Sequence, residues 1–311
     1  MKKVIVIAAS LIFCFAAANA QDMAKATELA KSANEAWTEK NFDAALEGFK
    51  SALAEAEAAG EEGAELVATC KNAIPNIVMS QAKALVNSAD YTAAIAKFGE
   101  VKEAAAKYGA DDLIGEVESL LPKVLLSQGN NLLQGKDFAG ATEVFTNLTS
   151  IDPENGVAFL RLGQCLNATG KADEAVAAFK SAAEKGQDKL ANSQLANIYL
   201  KKASADLKTK NYAAAVEDAL ECNNYKETPQ AYQIAGQASQ IAGKAADAVK
   251  YFEKYLELAP NAANAGAISY TVGALYQTSL KNNAKAKEFY QKASTDPKFG
   301  AEAKKMLDAL K

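Results

Sequence analysis

Side-by-side carboxylates are the one arrangement in this sequence that suggests acid–base chemistry. Examples are Glu61-Glu62 and Asp111-Asp112. A working pair needs one carboxyl kept protonated and the other ionised, which takes two unlike environments. Both pairs fall in polar stretches where helices start. Acids there cap free N–H groups and complement the helix dipole, and that role accounts for them without a reaction. The chain has no histidine, so a Ser-His-Asp triad, a His-Glu-x-x-His zinc helix and a Cys/His finger are all excluded. Neither a Gly-x-x-x-x-Gly-Lys phosphate loop nor a Gly-x-Ser-x-Gly elbow is present. Arg161 is the only arginine, whereas bidentate reading of phosphates and base edges favours arginine. Cys14, Cys70, Cys165 and Cys222 match no metal spacing. The last three read as small buried hydrophobes, with a Cys165–Cys222 bridge open in an oxidising compartment. No enzyme, metal, cofactor or nucleic-acid partner is therefore expected.

The elements that position these residues are helices. Of 311 residues 68 are alanine and only six are proline. Alanine has the highest helix propensity and lets helices approach closely. No long alternating Val/Ile/Thr run is present, so the chain reads as all-α.

The first twenty residues read differently from the rest. Lys2 and Lys3 precede an apolar run from Val4 to Ala18, and Ala18-Asn19-Ala20 is a small-x-small cleavage site. This is the pattern of a secretory leader cut after Ala20, and the run is short of the roughly 20 residues of a spanning helix. A lipid-attachment site at Cys14 would want a small residue before it, and Phe13 stands there. Without Lys2 and Lys3 the chain keeps 32 basic and 38 acidic residues, a net charge of −6. Such a chain repels DNA and anionic lipid. The expectation is an exported protein, periplasmic or secreted, with no membrane span.

A phrase then recurs: Phe42-Ala45-Phe49-Ala52, Tyr91-Ala94-Phe98-Val101, Phe138-Ala141-Phe145-Leu148 and Ala172-Ala175-Phe179-Ala182. It continues as Tyr212-Ala215-Ala219-Cys222, Ala245-Ala248-Phe252-Tyr255 and Asn283-Ala286-Tyr290-Ala293. Spacings of 3, 4 and 3 place each set on one helix face. A second helix with its own stripe precedes each, most clearly Phe159, Leu162-Gly163 and Leu166, ended by Gly170. Residues 156–187 and 229–260 resemble the tetratricopeptide repeat, a 34-residue helix–turn–helix, and the resemblance runs from about residue 24 to 297. It implies a right-handed superhelical solenoid of about seven hairpins. The divisions are a leader at 1–20, repeats with extended helices at 21–153, regular repeats at 154–297 and a cap helix at 298–311.

Leu66, Pro75, Ser80-Gln81 and Leu85 match Leu113, Pro122, Ser127-Gln128 and Leu132 at a constant offset of 47. Pro75, Pro122 and Pro229 fall at the first position of a first helix in the repeat frame, where proline is tolerated. Before Pro75 and Pro122 either one kinked helix or a separate short helix is expected, and no proline falls inside a helix of the frame.

In the same frame the first helices line a concave groove. Its positions read Asn130, Gln134, Gln164, Asn167, Gln233, Gln237, Gln240, Tyr270 and Gln277. Amides both donate and accept hydrogen bonds, which suits an extended peptide backbone or a glycan. The resemblance thus implies a non-enzymatic envelope scaffold that binds a protein or peptide partner in its groove. A glycan- or peptidoglycan-binding module and a self-associating structural protein are the alternatives.

Overall fold

The computed structural model describes residues 20–310. The expected leader lies almost wholly outside the described residues. Two compact units divide between Lys136 and Asp137, one helix before the boundary expected after Pro153.

Among its described residues unit 1 holds five α-helices: α1 (Ala20–Thr38), α2 (Phe42–Ala58), α3 (Ala64–Asn87), α4 (Tyr91–Tyr108) and α5 (Asp111–Gln134). Each packs on its sequence neighbour. The recurring phrase forms the buried seams. Ala45, Phe49 and Ala52 meet Cys70, Ile74 and Ile77, and Trp37 packs against them. Its indole sits edge-on to Phe49, 6.3 Å between centroids, and Nε1 donates to Ser80 Oγ at 3.3 Å. Ala94, Phe98 and Val101 form a second seam with Val78, Met79, Val117 and Val124.

The helices α3 and α5 run unbroken through Pro75 and Pro122. Each extension is therefore continuous with its repeat, and the expectation that no proline lies inside a helix is corrected. A mid-helix proline removes one N–H and crowds the carbonyl four residues earlier. Burial of Ile74, Ile77, Val78 and Met79 on the same helix holds α3 together across that defect. The two glutamines at the offset of 47 make matching contacts, with partners that each follow the first residue of a recurring phrase and stand 49 residues apart. Gln81 Nε2 donates to Asp43 Oδ1 at 2.6 Å, and Gln128 Nε2 donates to Thr92 Oγ1 at 3.0 Å.

Unit 2 contains α6 (Phe138–Ile151), α7 (Gly156–Ala168), α8 (Ala172–Ala182), α9 (Asp188–Lys208) and α10 (Tyr212–Tyr225). It continues with α11 (Pro229–Ile241), α12 (Ala245–Leu258), α13 (Ala265–Thr278), α14 (Asn283–Ala293) and α15 (Gly300–Ala309). Packing is again sequential, and α9 also touches α11, so first helices lie side by side. A kink over Ala183–Gln187 joins α8 to α9, where Lys185 and Gly186 leave helical geometry and Gly186 stands at φ 85°. The expected cap is α15. Phe299 just before it stacks on Tyr270, and Ala303 joins the seam of Tyr290 and Ala293.

Cys70, Cys165 and Cys222 are buried and free. Burial pushes the Cys70 thiol up to about 11, and thiolate is the reactive form. A thiol reagent such as DTNB is expected to label none of the three in the native protein. Labelling should appear only with denaturant, and a rapid native phase would show that one of these helices opens locally.

Candidate functional site

The first helices of unit 2 are α7, α9, α11 and α13, and α11 carries the most regular polar stripe. Pro229 opens it at its first turn, and Thr228 Oγ1 accepts from the Ala231 N–H at 3.4 Å. Ala231, Ala235, Gly236, Ala238 and Ser239 are buried. Gln230, Gln233, Gln237 and Gln240 follow at spacings of 3, 4 and 3, so they share one face. Gln233 and Gln237 are half-buried, while Gln230 and Gln240 are exposed. None of the four has a side-chain hydrogen bond among the described residues. Ile241 closes the stripe with 59% of its surface exposed.

Small residues on the inner face set how α11 is seated. A Cβ on Gly236 would lie 2.6 Å from the Phe252 ring, inside contact distance. Gly163 against Phe179 and Gly273 against Tyr290 repeat the arrangement at 2.7 and 2.8 Å. The glycine of the first helix thus makes room for the aromatic of the second. In the α9/α10 hairpin both positions are alanine, Ala203 and Ala219, in one core cluster.

The other amides expected in the groove divide into free and engaged. Asn167 on α7 is half-buried and without a side-chain hydrogen bond among the described residues. Gln164 Oε1 accepts from Arg161 Nη1 at 3.0 Å, holding the single guanidinium. Gln277 Oε1 accepts from the Tyr290 hydroxyl at 2.8 Å. Burial, with Tyr270 alongside, raises the Tyr290 pKa and keeps that hydroxyl a donor. Tyr270 is committed to the core, between Tyr290 and Phe299. Asn130 and Gln134 lie on α5 in unit 1, half-buried and exposed respectively. The continuous polar face is therefore that of unit 2, centred on α11. The groove positions taken from the sequence leave out Gln230 and Ile241. Both occupy frame positions that face outward, so the signal was available.

The acid pairs Glu61-Glu62 and Asp111-Asp112 are exposed at helix starts. The carboxyl with a raised pKa is Asp218, shifted by burial, partly offset by Lys202 and reinforced by Asp206. Asp218 and Lys202 lie on the adjacent helices α10 and α9. A cleft of about 350 Å³ lies between α12 and α13, lined by Lys250, Glu253, Lys254 and Tyr276. Tyr276 donates to Glu253 at 2.6 Å, and burial pushes its hydroxyl up to about 12. Such a phenol stays protonated and is no general base near neutral pH. Among the described residues no group of three or more His, Cys, Asp or Glu could hold a metal ion. No described helix is long and apolar enough to cross a membrane.

Sequentially packed hairpins, each pairing a first with a second helix, define a helical-repeat protein. Residues 132–198 and 229–262 each match a model of the tetratricopeptide repeat. The chain thus carries tetratricopeptide repeats in an all-α fold, and proteins of that family generally serve as non-catalytic scaffolding for protein–protein interaction. No curated protein matches the sequence. Among solved structures, MamA from Desulfovibrio magneticus is 15% identical over 60% of this chain and 97% of its own, with a TM-score of 0.32. YrrB, titled a TPR protein with an unusual peptide-binding site, is 19% identical over 58% of this chain and 91% of its own, at 0.33. PilF of Pseudomonas aeruginosa is 19% identical over 60% and 81%, at 0.30. At these scores the family rests on the repeat matches and the hairpin packing.

Proposed function

We propose that this chain is an exported scaffold that holds an extended segment of a protein partner along the α11 face of unit 2. The observation that carries the reading is the run Gln230, Gln233, Gln237, Gln240 with Ile241. Four amides on one helix face have no internal partner, and an apolar side chain stands exposed beside them. An extended backbone offers donors and acceptors that such amides can pair, and Ile241 gives an apolar contact that strengthens specificity. Export is supported by Lys2-Lys3, the apolar run and Ala18-Asn19-Ala20.

A photo-crosslinking residue at position 237, compared with one at exposed Lys250 on α12, tests the site in native extracts. A discrete adduct is expected at 237 and not at 250. The intact mass of the recovered protein should begin at Gln21. With the partner in hand, Gln233→Ala and Gln237→Ala together should weaken binding by about 1–3 kcal/mol, about 0.5–1.5 for each hydrogen bond. Unfolding stability should change by no more than about 0.5 kcal/mol per surface substitution. Adducts at 250 alone, or unaltered affinity in the double variant, would place the partner elsewhere.

A further inference from the structure

The hairpin turns of this chain show a trade that stability does not explain. Each turn between a first and a second helix needs a left-handed residue followed by an N-cap. Glycine suits the first slot, and Asn or Asp suits the second. No turn combines the two. Lys40, Lys136, Lys210 and Lys281 occupy the left-handed slot at φ 54–66°, each followed by Asn or Asp. In the α7/α8 and α11/α12 turns Gly170 and Gly243 take the left-handed slot, and Lys171 and Lys244 follow. Neither of those lysines caps its helix. The remaining turn, Ala89-Asp90, has no lysine. Six turns of seven thus give one slot to lysine and forgo either the unstrained residue or the cap.

We infer that the lysine turns of unit 2 form a docking edge for a second copy of this chain, received by the acidic loops of unit 1. Alternating antiparallel helices bring the turns of α7/α8, α9/α10, α11/α12 and α13/α14 to one end of the stack. Lys171, Lys210, Lys244 and Lys281 are all exposed there. Only Lys171 has an ion-pair partner among the described residues, Glu174 at a loose 3.8 Å. Aspartates of the adjoining helix turns, Asp173 and Asp247, are also exposed, and Asp173 is engaged by Lys202 at 3.4 Å.

The chain also carries the complement. Glu61, Glu62 and Glu65 on the α2/α3 connection, and Asp111 and Asp112 at the start of α5, are exposed and without ion pairs among the described residues. Both connections lie at the same end of unit 1, opposite its lysine turns. Neighbouring packed helices stand about 8–10 Å apart, so the spacing between successive turns is of the same order as that between successive loops. A contact between the lysine turns of unit 2 and the acidic loops of unit 1 joins two unlike surfaces, so it is heterologous and builds rings or open chains of copies. Exposed ion pairs are weak and screened by salt, so the association should be weak and salt-sensitive.

The test combines Lys171→Asn, Lys210→Asn, Lys244→Asn and Lys281→Asn in the full chain. Asparagine removes the charge, supplies a cap at 171 and 244, and tolerates the left-handed conformation at 210 and 281. Sedimentation equilibrium of the unaltered protein should show a mass that climbs with concentration at low salt and returns to that of one chain at high salt. The quadruple variant should melt at a higher temperature, yet its association constant should drop about 30-fold (four pairs, about 2 kcal/mol together). The matching Lys→Arg set should retain association. A strict monomer at low salt, association that survives high salt, or association unchanged in the Asn variant would each overturn the proposal. So would a defect confined to binding of vesicles containing anionic phospholipid, which would assign the edge to a membrane surface.

Discussion

Replacing Phe179 by alanine is expected to lower the unfolding free energy of the protein by about 3–5 kcal/mol, the usual cost of emptying a buried aromatic site. Phe179 is fully buried, in a seam with Leu160, Leu166, Ala175 and Leu195. Its ring faces Gly163, which has no side chain to move into the vacated space. The neighbours come from α7, α8 and α9, so the loss reaches both hairpins that share the seam. Stacked repeats draw their stability from such nearest-neighbour interfaces, and a weak one uncouples what lies on either side. Urea unfolding followed by circular dichroism should show the shift, with a broadened or biphasic transition. A loss under about 1 kcal/mol would mean that the hairpins collapse around the void and that the seam is not the rigid contact described.

The reverse change, Gly236→Val, is expected to cost about 1–3 kcal/mol or more through overpacking. Even a single Cβ there meets Phe252 at 2.6 Å, and the two methyl groups of valine add to the clash. The α9/α10 hairpin indicates the remedy, since Ala203 there coexists with Ala219 in place of the aromatic. Gly236→Ala combined with Phe252→Leu should therefore lose less than the sum of the two single changes. Additivity within about 0.5 kcal/mol in that cycle would show that the two positions do not press on one another.

Much of this architecture was legible because helix spacing is written in residue types. Every recurring phrase supplies buried residues, from Ala45, Phe49 and Ala52 to Ala286, Tyr290 and Ala293. Gln233, Gln237 and Gln240 of α11 were legible for the same reason, their spacing of 4 and 3 keeping them on one side. What escaped was which polar side chains engage one another and what packs across helices. Gln164 is spoken for by Arg161 three residues away, and Gln277 by Tyr290 on the next helix. Tyr270 occupies a groove position in the frame, but the ring of Phe299 covers it. Pro75 and Pro122 read as helix starts because proline favours that place. In the structure the buried residues around each carry the helix through. The kink over Ala183–Gln187 had no signal beyond Gly186.

The offset of 47 in unit 1 bears on how such a molecule changes over generations. Gln81 reaching Asp43 and Gln128 reaching Thr92 show that a whole hairpin, together with the polar contact that locks it to its neighbour, exists there in two editions. A tile that carries its own fastening can be copied or removed without inventing a joint. Reach then becomes a matter of tile number, and a lineage can lengthen or shorten its scaffold by duplication or loss of one cassette. The α11 amide face and the lysine turns of unit 2 lie outside the repeated segment, so they can stay as they are while the span of unit 1 varies.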